Sequence, residues 1–300
     1  MKIYVGITDT NWFNYLSSQK DIDEINFWQP SGGRNFKALN PGEIFVFRLH
    51  SPNDYVVGYG IYSYFSILPI DKAWEYFGIK NGASSLEELR TKVEKFRKIQ
   101  PQPFENYEIG CIMIKQPTFL KKENWFKIPS WKTGIQQGKT YDLSMEDGKY
   151  IFNKLNMNLT TEVRELPTER YGEPIQVFPR LGQGTFRSMV LDSYNRRCAI
   201  TGEKILPILH SAHIKPYNEG GEHSINNGIL LREDIHTLFD RGYVTISTDY
   251  HFEVSNRIKT DFNNGKNYYS LHGTKILLPN KQEQHPDKEI LSWHNNKLRK

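Results

Sequence analysis

Four of the chain's nine histidines, His210, His213, His223 and His236, fall within residues 198–246, together with Asn226, Asn227 and a Gly220-Gly221 pair. Imidazole is the commonest metal ligand and the side chain whose unperturbed pKa lies nearest neutrality, so a cluster of histidines points to metal binding, proton transfer or both. Asp240 follows His236 by four residues and shares its face on any helix that holds both. Two imidazoles and a carboxylate can converge on one divalent ion, which leaves another imidazole free as a base.

These groups need a frame. Residues 208–214 read as a strand that stops before Pro216, which lacks the donor a ladder requires. A polar loop, 217–226, leads to a second short strand at 227–231, and Asp234 is placed to cap a helix running from about 235 to Gly242. Side chains alternate along a strand, so His210 and Ala212 share one face and His213 takes the other. The helix then returns His236 beneath the hairpin.

Ala212-His213-Ile214 with Pro216, then Asn227-Gly228, then His236 followed by Leu238-Phe239-Asp240-Arg241-Gly242, resembles the HNH nucleases, whose ββα-metal fold is named for its His, Asn and His. The resemblance implies His213 as general base, Asn227 as the side chain that braces the loop through backbone bonds, and His236 as a metal ligand. Many members of that family carry an acidic or histidine ligand directly before the base, where this chain has Ala212. His210, on the same strand face, is the candidate substitute, and Asp240 is a candidate third ligand or an internal hydrogen-bond partner. His223 and His251 are expected to be structural. The ion implied is Mg²⁺, Mn²⁺ or a similar divalent cation.

At 300 residues the chain can hold two domains, each with its own core. Its 38% hydrophobic and 24% charged residues are ordinary for a globular protein, and a net charge of +5 is compatible with a nucleic-acid partner. No apolar run is long enough to span a bilayer, and the N-terminus lacks the apolar stretch of a signal peptide, so no membrane association and a cytoplasmic location are expected. Cys111 and Cys198 stand far apart, which argues against a disulfide framework. Thr201 stands where a zinc knuckle beginning at Cys198 would need a second cysteine, so structural zinc is not expected.

The first half reads as strands at 2–7, 25–30, 44–49, 55–62 and 109–114, with a short helix around Trp12 and a helical region over 70–98. Leu86, Leu89, Val93 and Phe96 form a helical stripe expected to be core. The Trp12 region, Leu39-Asn40-Pro41-Gly42-Glu43 before a strand, a paired strand ending in Gly60, and Ile109-Gly110-Cys111 resemble the PUA-like superfamily, particularly EVE-type domains. That resemblance implies a twisted β-barrel with flanking helices that reads a modified base flipped out of the duplex. A flipped base needs aromatic faces and edge hydrogen bonds. Trp12 and Trp28 are candidates for the faces, Gln29, Ser31 and Asn35 for the edge, and Arg34 for phosphate.

The expected architecture is therefore α+β: a reader at 1–155, a polar, proline-containing linker at 156–179, and a nuclease at 180–300. Arg180, Arg187 and Arg197 are candidate DNA-phosphate contacts. Strands are also expected at 252–254, 268–271 and 275–279, and a last helix over 287–300. A reader joined to an HNH domain resembles the modification-dependent restriction endonucleases, which implies double-stranded DNA carrying 5-methylcytosine or 5-hydroxymethylcytosine as substrate and a homodimer as the cutting form. The alternatives are an HNH nuclease acting on unmodified DNA and a non-catalytic nucleic-acid binder.

Overall fold

A computed structural model describes residues 1–298 except 34, 99, 103, 133, 136 and 160–181. The chain divides into two compact units, Met1–Val177 and Phe178–Lys300. The linker expected at 156–179 falls mostly outside the described residues, and its first four positions continue a helix that runs to Leu159.

The first unit contains β1 (Lys2–Thr8), α1 (Thr10–Ser17), β2 (Glu24–Gln29), β3 (Ile44–Leu49), β4 (Val56–Pro69), α2 (Ile70–Phe77), α3 (Leu86–Glu94), β5 (Glu108–Phe119), β6 (Gly138–Asp142) and α4 (Glu146–Leu159). Its strands form one sheet in the order β2-β5-β4-β3-β1-β6, with β1 and β3 parallel and the remaining pairs antiparallel. β3 explains the layering. Its run Ile-Phe-Val-Phe-Arg-Leu is buried throughout, as a strand covered on both faces must be. Phe45, Phe47 and Leu49 enter a core with Trp12, Phe13 and Leu16 of α1, whereas Ile44 and Val46 enter a second core with Ile151 and Leu155 of α4. Fully burying each such side chain contributes roughly 1.5–3 kcal/mol.

The region expected to be helical over 70–98 is broken. Gly78 and Gly82 both adopt positive φ, at 47° and 77°, and α3 starts afresh after Ser85, whose side chain accepts from the Glu88 amide. Because α3 ends at Glu94, Phe96 leaves the buried stripe and is 44% exposed.

The second unit contains α5 (Gln183–Ser193), β7 (Leu209–His213), β8 (Gly228–Arg232), α6 (Glu233–Asp240), β9 (Val244–Ile246), β10 (Phe252–Val254), α7 (Arg257–Phe262), α8 (Lys266–Tyr269) and α9 (Lys288–Asn295). β7 and β8 pair antiparallel with His213 opposite Gly228, and α6 follows directly. Asp234 does not cap this helix. Its carboxylate instead takes a two-point pair with Arg232 at 2.6 and 2.8 Å, and Arg232 occupies the capping position. Residues 268–271 are not a strand: Tyr268 and Tyr269 close the short α8, where their hydroxyls bond to Asp234 and to the Ser255 carbonyl. Of 275–279, only Lys275 forms a bridge, to His251. Among the described residues no helix is long and apolar enough to cross a membrane.

Candidate functional site

The loop between β7 and β8 is stapled by one side chain. Asn227, fully buried, accepts from the Lys215 amide and donates to the carbonyls of Lys215 and Glu222, each at 2.8 Å. Asparagine suits the task because its amide both accepts and donates, whereas aspartate could only accept. Gly221 packs against the Lys215 carbonyl so closely that any Cβ would collide with it. Asn226 ties the same loop to the C-terminal region through the carbonyls of Glu283 and His285.

His213 lies with its ring on Phe186 of α5, centroids 4.0 Å apart and planes within 13°. Its Nε2 is 2.8 Å from Nδ1 of His223, and His223 in turn stacks on Tyr217. His223, expected to be structural, therefore touches the expected base directly. Burial, reinforced by positive charge from His223, Arg187 and His236, pushes His213 down to about 4. The ring is neutral at physiological pH and keeps a lone pair.

His210 projects from β7 toward α6, its ring 5.9 Å from that of His236. His236 Nε2 lies 3.3 Å from the Asp240 carboxylate one turn on. Burial lowers His236, against the pull of Asp240, and raises the Asp240 carboxyl, although more than half of that side chain is open to solvent. Two ligands on one ion at about 2.0–2.2 Å each sit roughly 3 Å apart, so His236 and Asp240 already have the spacing of a ligand pair. Among the described residues no group of three or more His, Cys, Asp or Glu side chains is placed to hold a metal ion.

Arg187, half-buried on α5, contributes its charge to both His213 and His236, and its carbonyl accepts from Ser211. Arg197 is exposed beyond the end of α5. Arg34 and Arg180 lie outside the described residues. His294, by contrast, is a core residue: it stacks on Phe239 at 3.7 Å, its Nε2 is 3.1 Å from the Phe239 carbonyl, and burial pushes it down to about 4.

These features set a buried, neutral His213, a loop braced by Asn227, and the His210, His236 and Asp240 side chains on a strand-strand-helix frame. Residues 198–247 match the family described as HNH endonuclease. The chain carries an HNH endonuclease domain. Among solved structures, ASCH from Zymomonas mobilis is similar at 10% identity over 50% of this chain and 94% of that one, with a TM-score of 0.34. The modification-dependent TagI restriction endonuclease is similar at 12% identity over 98% of this chain and 81% of that one, with a TM-score of 0.29. No curated protein matches the sequence.

The first unit holds a half-open cavity of about 510 Å³ at the ends of β1 and β2. Trp12, Trp28 and Gln29 line it, whereas Ser31 and Asn35 do not and are exposed. Trp12 is 2% exposed, set edge-on against Phe27 and Phe47, and chiefly a core residue. Trp28 is anchored by its indole N–H to the Asn81 carbonyl. Two further rings, His50 and Phe96, also line the cavity, parallel within 7° with centroids 6.4 Å apart. Neither was singled out by the sequence for this purpose, because they come from a turn and from the segment after α3.

The His213–His223 bond predicts a measurable dependence. Only if His213 donates through Nε2 to His223 does its Nδ1 lone pair remain to take a proton, and the reverse tautomers occupy the Nε2 lone pair. His223→Phe, which keeps a ring beside Tyr217 but loses the acceptor, is expected to lower kcat about tenfold with DNA affinity retained, the size of one hydrogen bond. His223→Asn, which keeps an acceptor near the Nδ1 position, should restore most of the rate. Equal rates for the phenylalanine variant and the parent would remove His223 from the site.

Proposed function

We propose that the protein is a modification-dependent DNA endonuclease, in which the first unit binds a modified cytosine flipped from the duplex and the HNH domain hydrolyses nearby phosphodiester bonds. The observation that carries this reading is the pairing, in one chain, of an HNH domain with a cavity of base-accommodating size walled by Trp28, His50 and Phe96. The Gln29 side chain lines the same cavity and would meet a base edge there. A base leaving its stack loses a few kcal/mol, and aromatic faces plus edge hydrogen bonds offset that loss.

In the second unit, neutral His213 accepts a proton from water as the water oxygen attacks phosphorus. Asn227 keeps the loop that carries His223 in register with it. His236 and Asp240, with His210, would hold a divalent cation such as Mg²⁺ or Mn²⁺. When bound, the ion supplies positive charge to the phosphate and to the departing 3′ oxygen. Arg187 adds fixed positive charge beside the same group. The products are 5′-phosphate and 3′-hydroxyl ends. Cutting both strands calls for two sites, and a two-fold pair of chains matches the symmetry of duplex DNA, so the cutting form is a homodimer.

The reader is tested by its walls. Phe96→Ala and Trp28→Ala are each expected to reduce the preference for modified over plain duplex about tenfold, the loss of one stacking face, without altering cutting of DNA at saturating concentration. An unchanged preference in both variants, measured by competition binding, would exclude the cavity as the reading site.

A further inference from the structure

A second cavity, of about 390 Å³, adjoins the first: Ile7, His50 and Ile135 line both. Its chemistry is different. The first has several aromatic rings in its wall with one lysine and one aspartate, whereas the second gathers Arg48, Lys127 and Lys132 against a single carboxylate, Asp54. Arg48 is the feature that sets it apart from a patch of surface lysines. It is 4% exposed, on the central strand β3, and its guanidinium lies over the Trp131 ring at 4.1 Å. One terminal nitrogen meets Asp54 at 2.7 Å and the other reaches the Leu49 carbonyl at 3.3 Å. The Nε is buried with no hydrogen-bond partner among the described residues. Three cations against one carboxylate leave the cavity wall with a net positive charge, which suits an anion.

We infer that this second cavity is a phosphate site for the nucleotide whose base occupies the first. The inference rests on the reader assigned above. A nucleotide carries its phosphate one sugar away from its base, so base and phosphate sites must adjoin, as these two do through His50. Arg48, held by Asp54 and Trp131, gives the wall fixed positive charge, and Lys127 and Lys132, both exposed, supply mobile ammonium groups for the phosphate oxygens. Phosphate contacts position a strand without reading its sequence. Here the contact would fix which nucleotide is presented to the aromatic cavity.

The experiment uses the full-length chain carrying His213→Ala, in EDTA, with short duplexes holding one 5-methylcytosine, one 5-hydroxymethylcytosine or plain cytosine. Binding is measured across a range of salt for this parent and for the Lys127→Gln/Lys132→Gln variant, whose substitutions fall on exposed side chains. The expected result is about a tenfold loss of affinity and a fall in the salt slope of about 0.9, the value of one phosphate contact. A neutral methylphosphonate placed at successive positions should weaken the parent at one phosphate next to the modified base and leave the double variant unaffected there. A parental salt slope in the variant, or no position at which backbone and lysine changes are coupled, would overturn the phosphate site. If plain and modified duplexes bind the parent alike while the coupling persists, the modified-base reading fails and the phosphate site stands. If the modified duplex is preferred without coupling, the phosphate site alone fails.

Discussion

His213→Ala is expected to slow phosphodiester cleavage by about 10²–10⁴-fold while DNA affinity is retained, because it deletes the proton acceptor and leaves the ligand group of α6 in place. The ring is held on one face by Phe186 and at one edge by His223, so its position is fixed before substrate arrives. The pH dependence follows from its depressed pKa. With His213 pushed down to about 4, its base form persists as pH falls through the usual imidazole range and is lost only near 4. The acid limb of kcat/KM is therefore expected below the ordinary histidine value, and His223→Phe should move it upward by removing one of the positive neighbours. The same shift bears on folding: a histidine neutral in the fold but protonated when unfolded binds fewer protons in the native state. Stability is full above about 6.5 and falls as pH drops toward 4, with His294 acting in the same direction. Single-turnover cleavage at saturating enzyme measures the chemical step. A His213→Ala rate within threefold of the parent would dismiss it as the base.

His236→Ala is expected to be as damaging for a different reason. It removes one member of a pair already spaced like two ligands of one ion, and the lost charge stabilisation of several kcal/mol corresponds to about a thousandfold or more in rate. The variant should require higher Mg²⁺ or Mn²⁺ for whatever cutting remains, and chelation should bring parent and variant to the same residual rate. Asp240→Asn, which keeps a hydrogen-bonding side chain one turn away but removes its charge, should show a smaller loss and a weaker metal dependence. A parental metal titration in His236→Ala would mean that the ion is held elsewhere.

Much of the HNH motif was legible because its geometry is local. Alternation along β7 separates His210 from His213, the hairpin register sets His213 opposite Gly228, and four residues of helix join His236 to Asp240. Asn227 was placed as a loop brace by resemblance, and its three backbone bonds have that form. The contact of His223 with His213 was not legible because it depends on the path of a loop, set by Asn227 and Gly221, rather than on any periodicity. Phe96 was misread for a related reason: it continues the spacing of Leu89 and Val93, but α3 ends before reaching it. The cavity walls come from β1, β2, a turn at His50 and the segment after α3, and no spacing within the sequence joins such distant pieces. Tyr268 and Tyr269 look like strand residues until their hydroxyls are given partners, which only the folded chain supplies.

The central claim is that cutting by the HNH site is gated by a modified cytosine. Parallel digestion of one plasmid prepared with plain cytosine, 5-methylcytosine, 5-hydroxymethylcytosine or its glucosylated form, each with Mg²⁺ or Mn²⁺ and with EDTA, measures it most directly. The expected result is metal-dependent cleavage of at least one modified plasmid under conditions that leave plain DNA intact. Equal cleavage of all four would contradict the gating, and no cleavage of any form with either ion would contradict the nuclease.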